Sequence, residues 1–188
     1  MAFSYPIFLD LTNAPVLLVG GGPTALRKAA ALAAAGAEIT VVAPDIVAGL
    51  IELAAHVERR PYRQGEAAQY QLVMTATNDP AVNAMVAADA RNARVWVNSA
   101  DDPQHCSFIL PAVARQGLVT MAISTGGASP ALASRLRTDI AARELTPHVH
   151  AAAVELSRQR DEIKSSGAST EDTDWAERVS LALQMRPE

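Results

Sequence analysis

A single cysteine, Cys106, stands in 188 residues, so an intramolecular disulfide is impossible and a cysteine-built zinc site is excluded. Aromatic residues make up only 4% of the chain, too few for an aromatic-rich β-sandwich, while alanine is abundant and favours helices packed closely on a sheet. There is no basic block, and a formal net charge of -4 leaves no electrostatic footprint for nucleic acid. No apolar run reaches the length of a membrane span. The opening residues, MAFSYPIFLDL, lack the basic n-region and small-residue cleavage site of a signal peptide. Internal repeats and low-complexity tracts are missing as well. The expectation is a soluble, cytoplasmic protein with neither a membrane nor a nucleic acid as partner.

What is present suffices for a core. With 49% hydrophobic residues, the chain has room for one full domain and a smaller appendage. Residues 16 to 20, VLLVG, form a short continuous apolar run ending in glycine, as a strand buried on both faces would. The pattern turns helical from Pro23 to Ala35 and stops at Gly36, a natural C′ residue. The β-branched AEITVVAP follows as a strand, then a short helix over 45–56 and a brief strand in HVERRPY. YQLVMTAT is the next buried strand, Asp79 and Pro80 cap and open a helix through Arg91, and RVWVNSA is a further strand. Alternating strands and helices with short connections predict an α/β fold, a Rossmann-like doubly wound parallel sheet.

Beyond ADDPQHCSF the pattern changes. Two apolar segments flank Gln116-Gly117, which predicts a hairpin or a pair of longer strands. Ser129-Pro130 opens a helix through Glu144, a second helix runs from Pro147 to Lys164, and WAERVSLALQM forms a last amphipathic helix after the polar linker SSGASTEDTD. The expected division is 1–112, 113–146 and 147–188.

Three features carry chemistry. In the pattern G-x-G-x-x-G/A the first glycine makes a tight turn, the second lets backbone approach a pyrophosphate, and the third position must be small for helix to pack on strand. Gly20, Gly22 and Ala25 fill those places, after a buried strand and at a helix N-terminus that favours phosphate. An acid near the end of the second strand should meet the ribose. Asp45 is close, with Pro44 intervening, so the contact comes from Asp45 or from backbone near Pro44. No arginine follows directly, which favours NAD over NADP. The second feature gathers strand ends at one sheet edge, where Thr75, Thr77 and Asn78 stand near the cofactor and Asp101 and Asp102 are the carboxylates placed for proton chemistry or for a turn ahead of Pro103. His105 is open as a base, a ligand or a loop residue, and Cys106 reads as a small buried residue. The third feature, STGGASPALASRLR, offers Ser124, Thr125, Gly126, Arg135 and Arg137 for gripping carboxylates, or simply a capped helix with solvated arginines.

Taken in order, YPIFLDL…VLLVGGGPTALRKAAALAAAGAEITVVAP, TATNDPAVNAMVAADAR…VNSADDPQHCSFILPA and AISTGGASPALASRLR resemble the siroheme synthase family, specifically its precorrin-2 dehydrogenase and sirohydrochlorin ferrochelatase module. The resemblance spans about residues 3–145 and implies a homodimer. It places a Rossmann domain first, then a dimerisation and substrate-cleft segment, then a small helical tail. It implies NAD-dependent oxidation of precorrin-2 to sirohydrochlorin, followed in many members by insertion of ferrous iron, here a substrate with no resident metal site. Dehydrogenation alone and a non-catalytic NAD-sensing module are the alternatives, and an adenosylmethionine-dependent methyltransferase shares the glycine-rich turn. By the same resemblance, NAD contacts fall on Gly20, Gly21, Gly22, Pro23, Thr24, Pro44 and Asp45, the family's key aspartate on Asp101, and a hydroxyl near the tetrapyrrole pocket on Thr125.

Overall fold

The computed structural model describes residues 5–99 and 102–184. Asp101, the expected base, therefore lies outside the described residues, as does Met185 at the end of the expected last helix. Contacts divide the chain into two units, residues 1–109 and 110–188, so the expected segments 113–146 and 147–188 share one unit.

In the first unit, β1 (Pro15–Val19) is followed by α1 (Pro23–Ala33), β2 (Glu38–Val42), α2 (Ala48–Leu53), β3 (His56–Glu58), β4 (Leu72–Thr75), α3 (Pro80–Asn92) and β5 (Trp96–Ser99). The five strands are parallel in the order β3-β2-β1-β4-β5, with Val19 beside both Val42 and Thr75. The direction of winding reverses between β1 and β4. Crevices open at such a reversal, beyond the carboxyl ends of the strands.

Alternation along the strands explains the continuous apolar runs. Val16 and Leu18 enter one cluster with Ala25, Ala29, Leu32, Ile39 and Leu50, whereas Leu17 and Val19 enter another with Val73, Val86, Ala87 and Val97. A strand whose two faces both meet helices has no face left for polar residues. α1 supplies Ala25, Ala29 and Leu32 at helical spacing to the first cluster. Its close is the Schellman arrangement expected of Gly36: the glycine has φ +78°, its N–H meets Ala33 O at 2.9 Å, and Ala37 N–H meets Leu32 O at 3.1 Å. Asp79 caps α3 as its sequence predicts, accepting from Ala81 N–H at 2.8 Å.

α2 is shorter than the expected 45–56. Asp45 to Val47 are held out of the helix because Val47 N–H bonds Gly21 O at 2.9 Å, and Ala55 N–H already pairs with Ile39 O. The glycine turn thus takes residues expected at the start of the helix.

The second unit holds an antiparallel hairpin, β6 (Ala112–Gln116) and β7 (Val119–Ile123), then α4 (Pro130–Glu144), α5 (Pro147–Ser165) and α6 (Trp175–Ala182). Gln116 pairs with Val119, leaving Gly117-Leu118 as a two-residue turn, and Gly117 has φ +55°. Ser129, Thr146 and Asp174 each cap the helix that follows them. Among the described residues no helix is long and apolar enough to cross a membrane.

Candidate active site

The three glycines answer to different neighbours. A Cβ on Gly20, where φ is +130°, would lie 2.4 Å from Ala76 O, and one on Gly21 would lie 1.8 Å from Asp45 O. Both positions are forced by the protein's own backbone, at the exits of β4 and β2. A Cβ on Gly22 meets nothing within 4 Å. The open space sits at the N-terminus of α1, where Gly22 is the N-cap, makes no side-chain cap, and is followed by Pro23. Free helix N–H groups facing open space suit a phosphate. Ala25, fully buried, is the small residue that lets α1 lie on the sheet.

Asp45 and Pro44 are exposed just past β2, with the Asp45 carbonyl against Gly21. At the end of β4 the Thr75 hydroxyl pairs with the Ser99 hydroxyl at 3.0 Å, both buried. Thr77 donates to Asn83 Oδ1 at 2.8 Å and shapes the entry to α3, while Asn78 is exposed.

Beside the start of α1 lies an open cleft of about 300 Å³, lined by Thr24, Arg27 and Lys28 on the helix and by Asn98, Ser99, Asp102, Pro103, Cys106 and Ile109 opposite. The Lys28 ammonium donates to Thr75 O at 2.9 Å and to Asn98 Oδ1 at 2.8 Å. Arg27 donates to the Thr24 hydroxyl at 3.0 Å. Neither cation was among the candidates read from the sequence. A signal existed: Lys28 falls on the stripe of Ala25, Ala29 and Leu32, and a lysine on a buried helix face needs partners.

Asp102 and His105 meet side chain to side chain across a short 3-10 turn, Pro103–His105. The His105 hydrogen bond draws the Asp102 carboxyl below its ordinary range. Cys106 is buried, its sulfur accepting from Ser99 N–H at 3.2 Å and lying 3.2 Å from Asp102 O, and burial pushes its thiol up. Ser107 then bridges Val97, accepting from its N–H at 2.6 Å, so the segment after Asp102 is laced back onto β5.

In the second unit Thr125 closes a loop by accepting from Ser129 N–H at 2.9 Å, and Ser124 accepts from Gly126 N–H at 3.0 Å. Arg135 pairs with Asp139 at 2.6 Å, four residues on. Arg137 reaches Ser134 at 3.3 Å, and its Nε is buried without a partner among the described residues. Among those residues no cluster of three metal-ligating side chains occurs.

Residues 7–112 match the family model described as "Putative NAD(P)-binding", and residues 116–143 match that of the sirohaem biosynthesis protein central segment. The chain belongs to the NAD(P)-binding family that the first of these models describes. This NAD(P)-binding chain is 43% identical over 169 residues to siroheme synthase 3 of Aeromonas hydrophila, covering 87% of itself and 36% of that protein. It is 44% identical over 139 residues to the siroheme synthase of Methylococcus capsulatus, covering 72% of itself and 29% of the relative. The chain thus spans about a third of the length of these curated relatives. Among solved structures, SirC, a precorrin-2 dehydrogenase, matches with a TM-score of 0.72 and 27% identity, over 98% of this chain and 90% of that one.

Proposed function

We propose that the chain oxidises precorrin-2 to sirohydrochlorin with NAD, and that it then inserts ferrous iron, a substrate, to give siroheme. The single observation that carries the first step is the Gly22 position. In a family of NAD(P)-binding proteins, only this glycine of the three has open space in front of it, at a helix N-terminus on the switch point of the sheet. The likeness to a precorrin-2 dehydrogenase along nearly the whole chain supports the substrate, and the siroheme synthases among the relatives support the second step.

Bound at this turn, NAD supplies the acceptor for the hydride that precorrin-2 loses. The N–H groups at the start of α1 receive the pyrophosphate, with Pro23 and Thr24 beside it, and Asp45 or the backbone at Pro44 accepts from ribose hydroxyls. The lack of a basic residue at the end of β2 favours NAD over NADP. Thr77 and Asn78 border the nicotinamide end, and Thr75, wholly buried with its hydroxyl on Ser99, supports them from behind. Asp101 takes the proton that accompanies hydride loss, with Asp102 next to it in sequence. The polycarboxylated ring meets Arg27 at the cleft, and Ser124, Thr125, Gly126, Arg135, Arg137 and His105 are further candidates for its acidic groups. Large apolar side chains left open on the second unit, such as Leu118 at 65% and Leu132 at 51% exposure, support a homodimer. The reduced single cysteine suits the cytoplasm.

The decisive experiment gives purified protein precorrin-2 and NAD without oxygen, follows NADH and sirohydrochlorin by absorbance, and then adds ferrous iron. NADH appearing with sirohydrochlorin, and siroheme forming faster than in a protein-free control, is the expected result. Oxidation without faster metallation reduces the function to dehydrogenation. NAD binding without either step overturns the reading.

A further inference from the structure

Lys28 is half-buried, at the edge of the cleft and on the face of α1 that packs on the sheet. It lies on α1 beside Ala29 and three residues beyond Ala25, both fully buried. Setting an ammonium there is unfavourable unless its donors are satisfied. Its acceptors come from two neighbouring strands, Thr75 O on β4 and Asn98 Oδ1 on β5. The contacts do not stop at that point. The Asn98 amide nitrogen donates to Phe108 O at 3.0 Å and approaches Cys106 Sγ at 3.7 Å, and the same sulfur lies 3.2 Å from Asp102 O. One chain of contacts therefore runs from the helix that carries the glycine turn, across the carboxyl ends of β4 and β5, to Asp102 at the cleft.

We infer that Lys28 is a positioning residue: by bridging Thr75 and Asn98, its ammonium fixes the return of segment 102–108 onto β5 and so sets where Asp102 stands relative to the glycine turn. The consequence for turnover rests on the proposed dehydrogenase reaction. The consequence for the segment itself does not, and the only cysteine of the chain reports on it.

The test compares wild type with Lys28→Met and with Lys28→Gln, whose amide is one bond too short to bridge both acceptors. Alkylation of Cys106 by iodoacetamide is timed under native conditions, together with Tm and NAD affinity. Both variants are expected to label at least about tenfold faster while NAD affinity stays within about threefold; each tenfold is about 1.4 kcal/mol. Loss of a nearby positive charge by itself disfavours the thiolate, so a faster rate reports opening of the segment and not a more acidic thiol. A Leu50→Ala variant, weakened in the core at a fully buried position, controls for global loosening. In turnover, kcat per folded enzyme, measured well below the Tm of each variant so that loss of folded protein does not imitate the effect, is expected to fall at least about tenfold with KM for NAD unchanged. Labelling at the wild-type rate in either folded variant overturns the inference. So does labelling no faster than in Leu50→Ala at matched Tm, or failure of both variants to fold, which would make Lys28 a folding residue. If wild type proves inactive on precorrin-2, the dehydrogenase reading fails while the labelling result still decides the role of Lys28.

Discussion

The two units bury their apolar residues to different depths. In the first, Leu17, Leu18, Ile39, Leu50, Val73 and Val97 are wholly buried, because a five-stranded parallel sheet is covered on both faces. In the second, the buried hydrophobic residues among those described are Ala133, Ala152 and Ala182, while Leu118, Leu132, Leu136, Leu181 and Leu183 stay exposed. A two-stranded hairpin with three helices has too little sheet to cover these side chains from within. The contrast teaches that the first unit is stabilised by its own core, whereas the second has apolar surface to spend on association.

The sharpest break of that contrast is expected at Gly21. Its Cβ would meet backbone at 1.8 Å, which cannot swing aside, so Gly21→Ala should lower stability by on the order of 4 kcal/mol or leave the first unit unfolded, read by denaturant titration. Next comes a matched pair of leucines. Leu17→Ala should cost about 2–5 kcal/mol, whereas Leu132→Ala should change the stability of an isolated chain by no more than about 0.5 kcal/mol and instead weaken self-association in sedimentation experiments. Equal costs at the two sites would remove the distinction.

A middle effect belongs to the hairpin turn. A Cβ on Gly117 would lie 2.0 Å from the His150 ring, whose Nδ1 accepts from Leu118 N–H at 3.3 Å. Gly117→Ala should cost about 1–3 kcal/mol, combining the clash with the strain of positive φ. Adding His150→Ala should recover the clash and leave the strain, which a double-mutant cycle in chemical denaturation measures. At Gly22 the expected change is in binding: Gly22→Ala should leave Tm almost unmoved yet weaken NAD about tenfold, roughly 1.4 kcal/mol by calorimetry. Unchanged NAD affinity would disconnect the open turn from the cofactor.

The smallest effect concerns pH. The folded Asp102 carboxyl is drawn below its ordinary value of 3.8 by the His105 hydrogen bond. Its contribution is present above the unfolded value and is lost as pH falls through the folded one. His105→Ala should move the titration of this carboxyl back up toward 3.8, followed by its carbon NMR signal.

Much of the fold was legible in the sequence because its signals are local. Continuous runs such as VLLVG and LVMT announce strands buried on both sides, Asp79-Pro80 and Ser129-Pro130 announce helix starts, and Gly36 announces a helix end. α2 is shorter than its sequence suggests because residues 45–47 are pulled aside by a hydrogen bond from Val47 to Gly21, formed with a segment more than twenty residues away. In the site, the motif pointed to the glycine turn, but Arg27 and Lys28 went unread, since a cation in an alanine-rich helix carries no mark of what it touches.

The sequence by itself determined the elements, their alternation, and a small-residue turn at the first strand-to-helix junction. Only the tertiary structure decided which glycine serves which purpose. Parallel pairing brings Ala76 against Gly20 and the exit of β2 brings Asp45 against Gly21, so the protein's own backbone occupies the space in front of two of the three. Gly22 keeps its open space, and Lys28 gains acceptors on two strands. Local patterning fixes what each residue prefers, while close approach between distant segments depends on strand order and register, which no short window of sequence contains.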